Sequence, residues 1–208
     1  AQMQIKAGAQ GITCQKLGEA EVMADAGITD ILIATNLLGA ARSGSLANLQ
    51  RRLPLKVCSD NVVSLSAYAT CAQQANRVID VVIECDTGQK RAGVETPNEA
   101  IKLIRRIHND PWLQFAGLLY YPSLDGWYDV QVFHDKMLSE LKKIGIAINI
   151  VSTGGTPNFA HIGKLKGATE HRAGTCIFND MMMVQNGFAN LDDCAFHVFT
   201  SIVSRAGE

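Results

Sequence analysis

Ile148-Asn149-Ile150-Val151-Ser152-Thr153-Gly154-Gly155-Thr156-Pro157-Asn158 runs from a strand-like segment into a turn of two glycines flanked by hydroxyls. A little further on, Arg172-Ala173-Gly174-Thr175 offers the same small, donor-rich chemistry. Glycines at a strand's carboxyl end let backbone N–H groups crowd around an anion, and Ser/Thr hydroxyls add donors without bulk. Two such segments on neighbouring strands make a phosphate cup, the usual anchor at the top of an α/β barrel. Taken alone, Gly-Gly-Thr-Pro reads first as a tight turn. The rest of the chain decides between the two.

Working outward, short apolar runs alternate with helical stretches. The runs are Gly11–Gln15, Ile31–Thr35, Lys56–Asp60, Asp80–Asp86, Phe115–Tyr120, Ile148–Val151 and a poorer one at Glu170–Gly174. Helices are expected over Leu17–Ala26, up to about Arg52, over Val62–Asn76, after Thr96-Pro97 and over Val130–Ile144. That alternation means parallel β/α organisation. The unit spacing suits both an open doubly wound sheet and a closed barrel; the α/β class (β/α)8 barrel expected here would have about seven of its eight strands within these residues. After Asp180 the rhythm changes, and Cys194–Val203 reads as a long β-run with no helix after it. The expected division is a barrel over residues 1–180, then a connection and the first strand of a β-rich domain over 181–208. Ala1–Gly8 reads as the end of a helix already under way, so the chain reads as a fragment.

Composition narrows the function classes. With 208 residues, 47% hydrophobic and 19% charged, the chain can bury a substantial core. A net charge of −1 gives no push toward nucleic acid or an anionic membrane. Six cysteines are scattered with no C-x-x-C pair, and the five histidines show no metal-ligand spacing. Buried, reduced thiols in a cytoplasmic protein are the reading that follows.

Asp86-Thr87-Gly88-Gln89-Lys90-Arg91-Ala92-Gly93-Val94 follows the strongest strand. An arginine held between two glycine turns can present a fixed fork of donors to an oxyanion; a solvated loop arginine is an equal reading of the residues alone. This segment resembles the D-T-G-x-x-R-x-G-V motif of the alanine racemase-like, fold-type III pyridoxal phosphate (PLP) barrels. Gly8-Ala9-x-Gly11-Ile12-Thr13-Cys14-Gln15-Lys16-Leu17-Gly18-Glu19-Ala20-Glu21 is more specific still. Together with Asp30–Ala34, Ser152-x-Gly154-x-Thr156-Pro157 and Arg172-Ala173-Gly174-Thr175-x-Ile177-Phe178-Asn179-Asp180, it is similar to the D-threonine aldolase and D-serine dehydratase branch.

The resemblance implies a PLP-dependent lyase acting on a D-β-hydroxy-α-amino acid. It implies cofactor contacts from Gln15, Arg91 (to the phenolic oxygen) and Tyr121, and a phosphate cup from Thr156, Gly174 and Thr175. The Schiff-base lysine is expected upstream of Ala1, on the strand missing from the count, so these residues by themselves are expected to be nearly inactive. A divalent metal is expected on ligands beyond Glu208, and a homodimer for the intact protein. Two departures touch the site: Ser123-Leu124 replaces the Gly-His of many relatives, and Cys176 stands where tyrosine is usual. Lys16, Lys6 and Lys56 are poor replacements for the missing lysine. A non-catalytic PLP-binding barrel and a cofactor-free barrel for a phosphorylated substrate stay open beside the lyase.

Overall fold

The computed structural model describes residues 1–205 and 207. Seven strands form one parallel sheet in chain order: β1 (Ile12–Cys14), β2 (Ile31–Ile33), β3 (Leu55–Ser59), β4 (Ile79–Cys85), β5 (Leu113–Tyr120), β6 (Ile150–Thr153) and β7 (Glu170–His171). Each lies where an apolar run was expected. Parallel neighbours need a crossover between them. After the short α1 (Gln2–Lys6), these are α2 (Leu17–Asp25), α3 (Ala40–Arg52), α4 (Val62–Ala75), α5 (Pro97–His108) and α6 (Trp127–Lys143). Between β6 and β7 the connection is instead a 3₁₀ turn, Thr156–His161, so the chain stays close to the rim there.

Strand alternation splits the apolar residues between two cores. Ile79, Val81, Ile83 and Cys85 of β4 belong to the large outer core shared with the helices, and Val82 to a small inner one. The inner core holds Leu32, Cys58, Val82, Ala116 and Leu119, one or two from each of four strands. A flat sheet would not need it. The sheet curls instead into a half-barrel, and β1 and β7, which are not hydrogen-bonded to each other, line the same cleft of about 420 Å³. At β5 the register shifts by one residue opposite Val81 and Val82, a bulge that tightens the bend.

Local signals start the helices where the sequence placed them. Thr96 caps α5 through the Glu99 N–H, Glu99 reaches back to the Thr96 N–H, and Pro97 opens the first turn. The Asn61 side chain accepts from the Ser64 N–H at 2.9 Å to cap α4, an arrangement typically worth about 1 kcal/mol. α6 starts three residues earlier than expected, at Trp127, whose side chain is buried against the outer core. Among the described residues no helix is long and apolar enough to cross a membrane.

Behind the sheet, Tyr120 and His134 form a buried pair, hydroxyl to Nδ1 at 3.2 Å. Burial pushes the imidazole pKa down, only partly offset by Asp135. An unfolded chain therefore binds this proton more readily than the folded one, so stability is present above the ordinary histidine range and falls as the pH drops through it. His171 is depressed in the same direction, again chiefly by burial. The urea midpoint should fall between about pH 7.5 and about pH 5.5, and less steeply in His134→Gln. A pH-independent midpoint would contradict this.

The strand expected from Cys194 to Val203 is not formed. Asp180 caps a short α7 (Met181–Gln185), and from Cys194 onward the described backbone has no ladder partner. Cys194 is buried, whereas Phe196, Val198, Phe199, Ile202 and Val203 are exposed. Apolar β-formers supply propensity, but a strand exists through its ladder, and no neighbouring strand among the described residues provides one.

Candidate active site

Because all seven strands are parallel, their carboxyl ends share one rim, and the loops after them meet there. The loops after β6 and β7 are joined directly. The Cys176 N–H donates to Thr156 Oγ1 at 3.0 Å, the Arg172 N–H to the Thr153 carbonyl at 2.8 Å, and His171 Nε2 to the Gly155 carbonyl at 3.1 Å. Phe159 stacks on the His171 ring. Gly154, with φ +102, is needed here: a Cβ would lie 2.0 Å from that imidazole.

These loops fit a phosphate. Among the described residues the N–H groups of Gly155, Thr156, Gly174 and Thr175 donate to no protein acceptor, although Thr156 is buried. Unpaired donors in a buried loop, as at Gly155 and Thr156, ask for a partner; Gly174 and Thr175 are exposed and open to one. Space is open beside Gly174, where an added Cβ would meet nothing within 4 Å.

Arg91 reaches the cup through Tyr121. The loop carrying it leaves β4 at Asp86 and closes on itself, Asp86 N–H to the Val94 carbonyl at 2.9 Å and Val94 N–H to the Glu84 carbonyl at 3.0 Å. The guanidinium carbon lies 4.4 Å from the Tyr121 ring centre, and Nη2 is 3.7 Å from Glu84 Oε1. A cation over an aromatic face at this distance gains about 0.5–1 kcal/mol when exposed. Tyr121 in turn lies against Gly155, where a Cβ would come within 2.8 Å of the ring. Arg91, Tyr121, Gly155, Thr156 and Cys176 are thus one continuous chain of contacts.

Sequence reasoning missed the layer beneath. Strand alternation turns Cys58, Glu84, Ser152, Glu170 and Arg172 inward together. Arg172 donates to Ser152 Oγ at 2.5 Å and to the Tyr120 carbonyl at 2.9 Å, and Ser152 donates to Glu170. Burial lowers the Arg172 pKa to about 10, so it keeps its charge at neutral pH. Burial raises that of Glu84, partly offset by Arg91, and the Cys58 thiol donates to Glu84 at 3.8 Å. The signal was available: polar residues at alternate positions of otherwise apolar strands.

Of the six residues expected to hold a cofactor, Arg91, Tyr121 and Thr156 fall in that chain of contacts. Gly174 and Thr175 fall in the loop joined to it at Cys176. Gln15 stands on the same rim at the end of β1 but apart from them. Its N–H donates to Glu19 and its carbonyl accepts from Thr35, both at 2.7 Å, while its side chain is exposed. Lys16 is exposed at the start of α2, and Lys56 is ion-paired with Asp30 near the amino end of β3. Cys176 contributes its backbone N–H, not a ring, to the cup. Among the described residues no three His, Cys, Asp or Glu side chains are grouped to hold a metal ion.

Comparison with known proteins bears on the fold and the family. The chain is 33% identical to D-threonine aldolase of Arthrobacter sp. over 189 residues, 85% of this chain and 50% of that protein. It is 30% identical to D-threo-3-hydroxyaspartate dehydratase of Delftia sp., over 97% of this chain and 56% of that protein. The crystal structure of D-threonine aldolase from Filomicrobium marinum superposes with a TM-score of 0.84 at 30% identity, covering 95% of this chain and 56% of that one. The chain therefore spans about half the length of these relatives. A family profile described as alanine racemase, N-terminal domain, matches residues 1–181, taking in every strand and both cup loops. The chain belongs to the alanine racemase N-terminal domain family.

Proposed function

We propose that these residues form the coenzyme-binding barrel of a PLP-dependent lyase that acts on D-β-hydroxy-α-amino acids. The observation that carries the reading is the contact chain from Arg91 through Tyr121 to the cup at Thr156, with unpaired backbone donors on both cup loops. When bound, PLP supplies the electron sink for the bond broken at the substrate's α-carbon. The protein's part is binding and electrostatics. Gly155, Thr156, Gly174 and Thr175 would hold the phosphate, and Tyr121 would flank the ring. Arg91 would keep negative charge on the phenolic oxygen, with Gln15 contributing from the end of β1. In the same proposal the intact protein also uses a Schiff-base lysine, a divalent metal and a β-rich second domain, and is a cytoplasmic homodimer.

The named relatives include an aldolase and a dehydratase, and the cup serves both. The test is to add PLP to the full-length protein, follow the visible absorption band, then assay D-threonine for aldehyde release and D-threo-3-hydroxyaspartate for keto acid. A band with either product supports the lyase. A band without turnover would leave a PLP-binding barrel, and no band at all would leave a barrel for a phosphorylated substrate.

A further inference from the structure

The loop from Asp86 to Val94 has an exposed tip, residues 89–92, and its one arginine has to point in a fixed direction to serve the site. Its two ends are paired to each other, which closes the loop without orienting it. Orientation comes from the next strand. Asp60, the residue after β3, accepts the Gly93 N–H on Oδ2 at 3.0 Å. Its other oxygen, Oδ1, accepts from Asn36 Nδ2 at 2.8 Å and Asn61 Nδ2 at 2.7 Å. Asn36 follows β2, and Asn61 is the cap of α4. One carboxylate thus ties the Arg91 loop to the ends of β2, β3 and α4.

We propose that Asp60 is a positioning residue that latches the 86–94 loop and so sets where Arg91 points; the consequence for coenzyme rests on the reading of the site given above. Every acceptor position in use on Asp60 faces an N–H donor, and charge-assisted bonds of this kind are the strong ones. Gly93 makes the approach possible. It adopts φ +107, and a Cβ there would lie 2.6 Å from the Asp86 nitrogen, so the backbone sits directly over the end of β4. Two carboxylates from adjacent strands then share the loop: Asp60 holds its backbone at Gly93, and Glu84 faces its guanidinium.

Asp60→Asn isolates the latch because it keeps the shape and replaces one acceptor by an NH2 donor. Whichever way the amide turns, a donor faces either the Gly93 N–H or the two asparagine amides. In the full-length protein stripped of coenzyme, trypsin nicking at Lys90 and Arg91, mapped by mass spectrometry, should rise roughly tenfold or more, because cleavage follows the population of the open loop. Asn36→Ala leaves the Gly93 bond intact and should change nicking by less than about threefold. Unchanged nicking in a folded Asp60→Asn protein overturns the latch. With PLP added, Asp60→Asn should shift the pH titration of the coenzyme's absorbance in the direction that Arg91→Gln shifts it, and the double variant should match Arg91→Gln alone. An additive double variant overturns the positioning role. If the wild-type protein binds no PLP, the coenzyme reading falls, and nicking still decides the latch.

Discussion

Arg91→Ala in the full-length protein is expected to lower kcat by about 10²-fold, the usual scale for losing one preorganised charge at a reacting centre. Two features of the structure carry this. The guanidinium lies 4.4 Å from the centre of the Tyr121 ring, which itself packs on the phosphate-cup glycine, so the charge is held at a fixed place relative to the cup. It also faces the buried carboxylate of Glu84, whose pKa already stands above its ordinary value because of burial. Without Arg91 that carboxylate loses an opposing charge and moves further up, so the local field changes twice over. Arg91→Lys keeps a charge but not the planar fork, and should lose about tenfold. Folding should hardly respond, because the arginine is 60% exposed and a surface ion pair contributes little. Steady-state kinetics, coenzyme titration and a urea curve on the same preparations separate these outcomes. Wild-type kcat in Arg91→Ala would remove the arginine from the chemistry.

The largest effect on stability is expected from Gly117→Ala in β5. A Cβ there would lie 1.9 Å from the Ile150 carbonyl oxygen and 2.7 Å from the Ile150 Cβ, across the pairing of Gly117 with Ile150. The obstacle is backbone, so no side-chain rotation relieves it. β6 must shift away from β5, at a cost of about 3 kcal/mol, the upper end for overpacking. β6 also carries Ser152 and the first cup loop, so phosphate affinity should fall together with stability. Gly174→Ala is the matching control for folding. Its φ is −125 and an added Cβ meets nothing within 4 Å, so its urea midpoint should stay close to wild type. Equal midpoints for the two variants would show that β5 and β6 tolerate a wider spacing than their register requires.

Much of the architecture was legible before any coordinates. β4 and β5 are apolar runs bounded by turn residues, and β4 ends at Cys85, one residue before the Asp86 at which the sequence placed its end. α5 begins where Thr96-Pro97 and Glu99 place a capping box. Even the poor strand Glu170–His171 was placed by the rhythm of the units before it, not by its own propensity. Within the site, Arg91, Thr156, Gly174 and Thr175 stood out through motif and glycine pattern. Asp60 did not, and Arg172 stood out only as part of the cup motif, not for the contacts its side chain makes. Nothing local marks Asp60, since its function is to accept an N–H 33 residues away, and Arg172 spends its fork on a carbonyl 52 residues away. The run from Cys194 to Val203 is the opposite case, with strong propensity and no ladder among the described residues.

The sequence by itself determined the parallel β/α order, the ends of most elements and the family, because period, caps and motif spacing are local properties carried in short windows. Only the tertiary structure decided that Tyr121 lies between Arg91 and the cup, that a carboxylate after β3 accepts an N–H of the loop after β4, and that Glu84, Ser152, Glu170 and Arg172 turn inward beside the small apolar inner core. Those facts depend on register and curl, which bring together residues from different strands, and no window along the chain contains both partners.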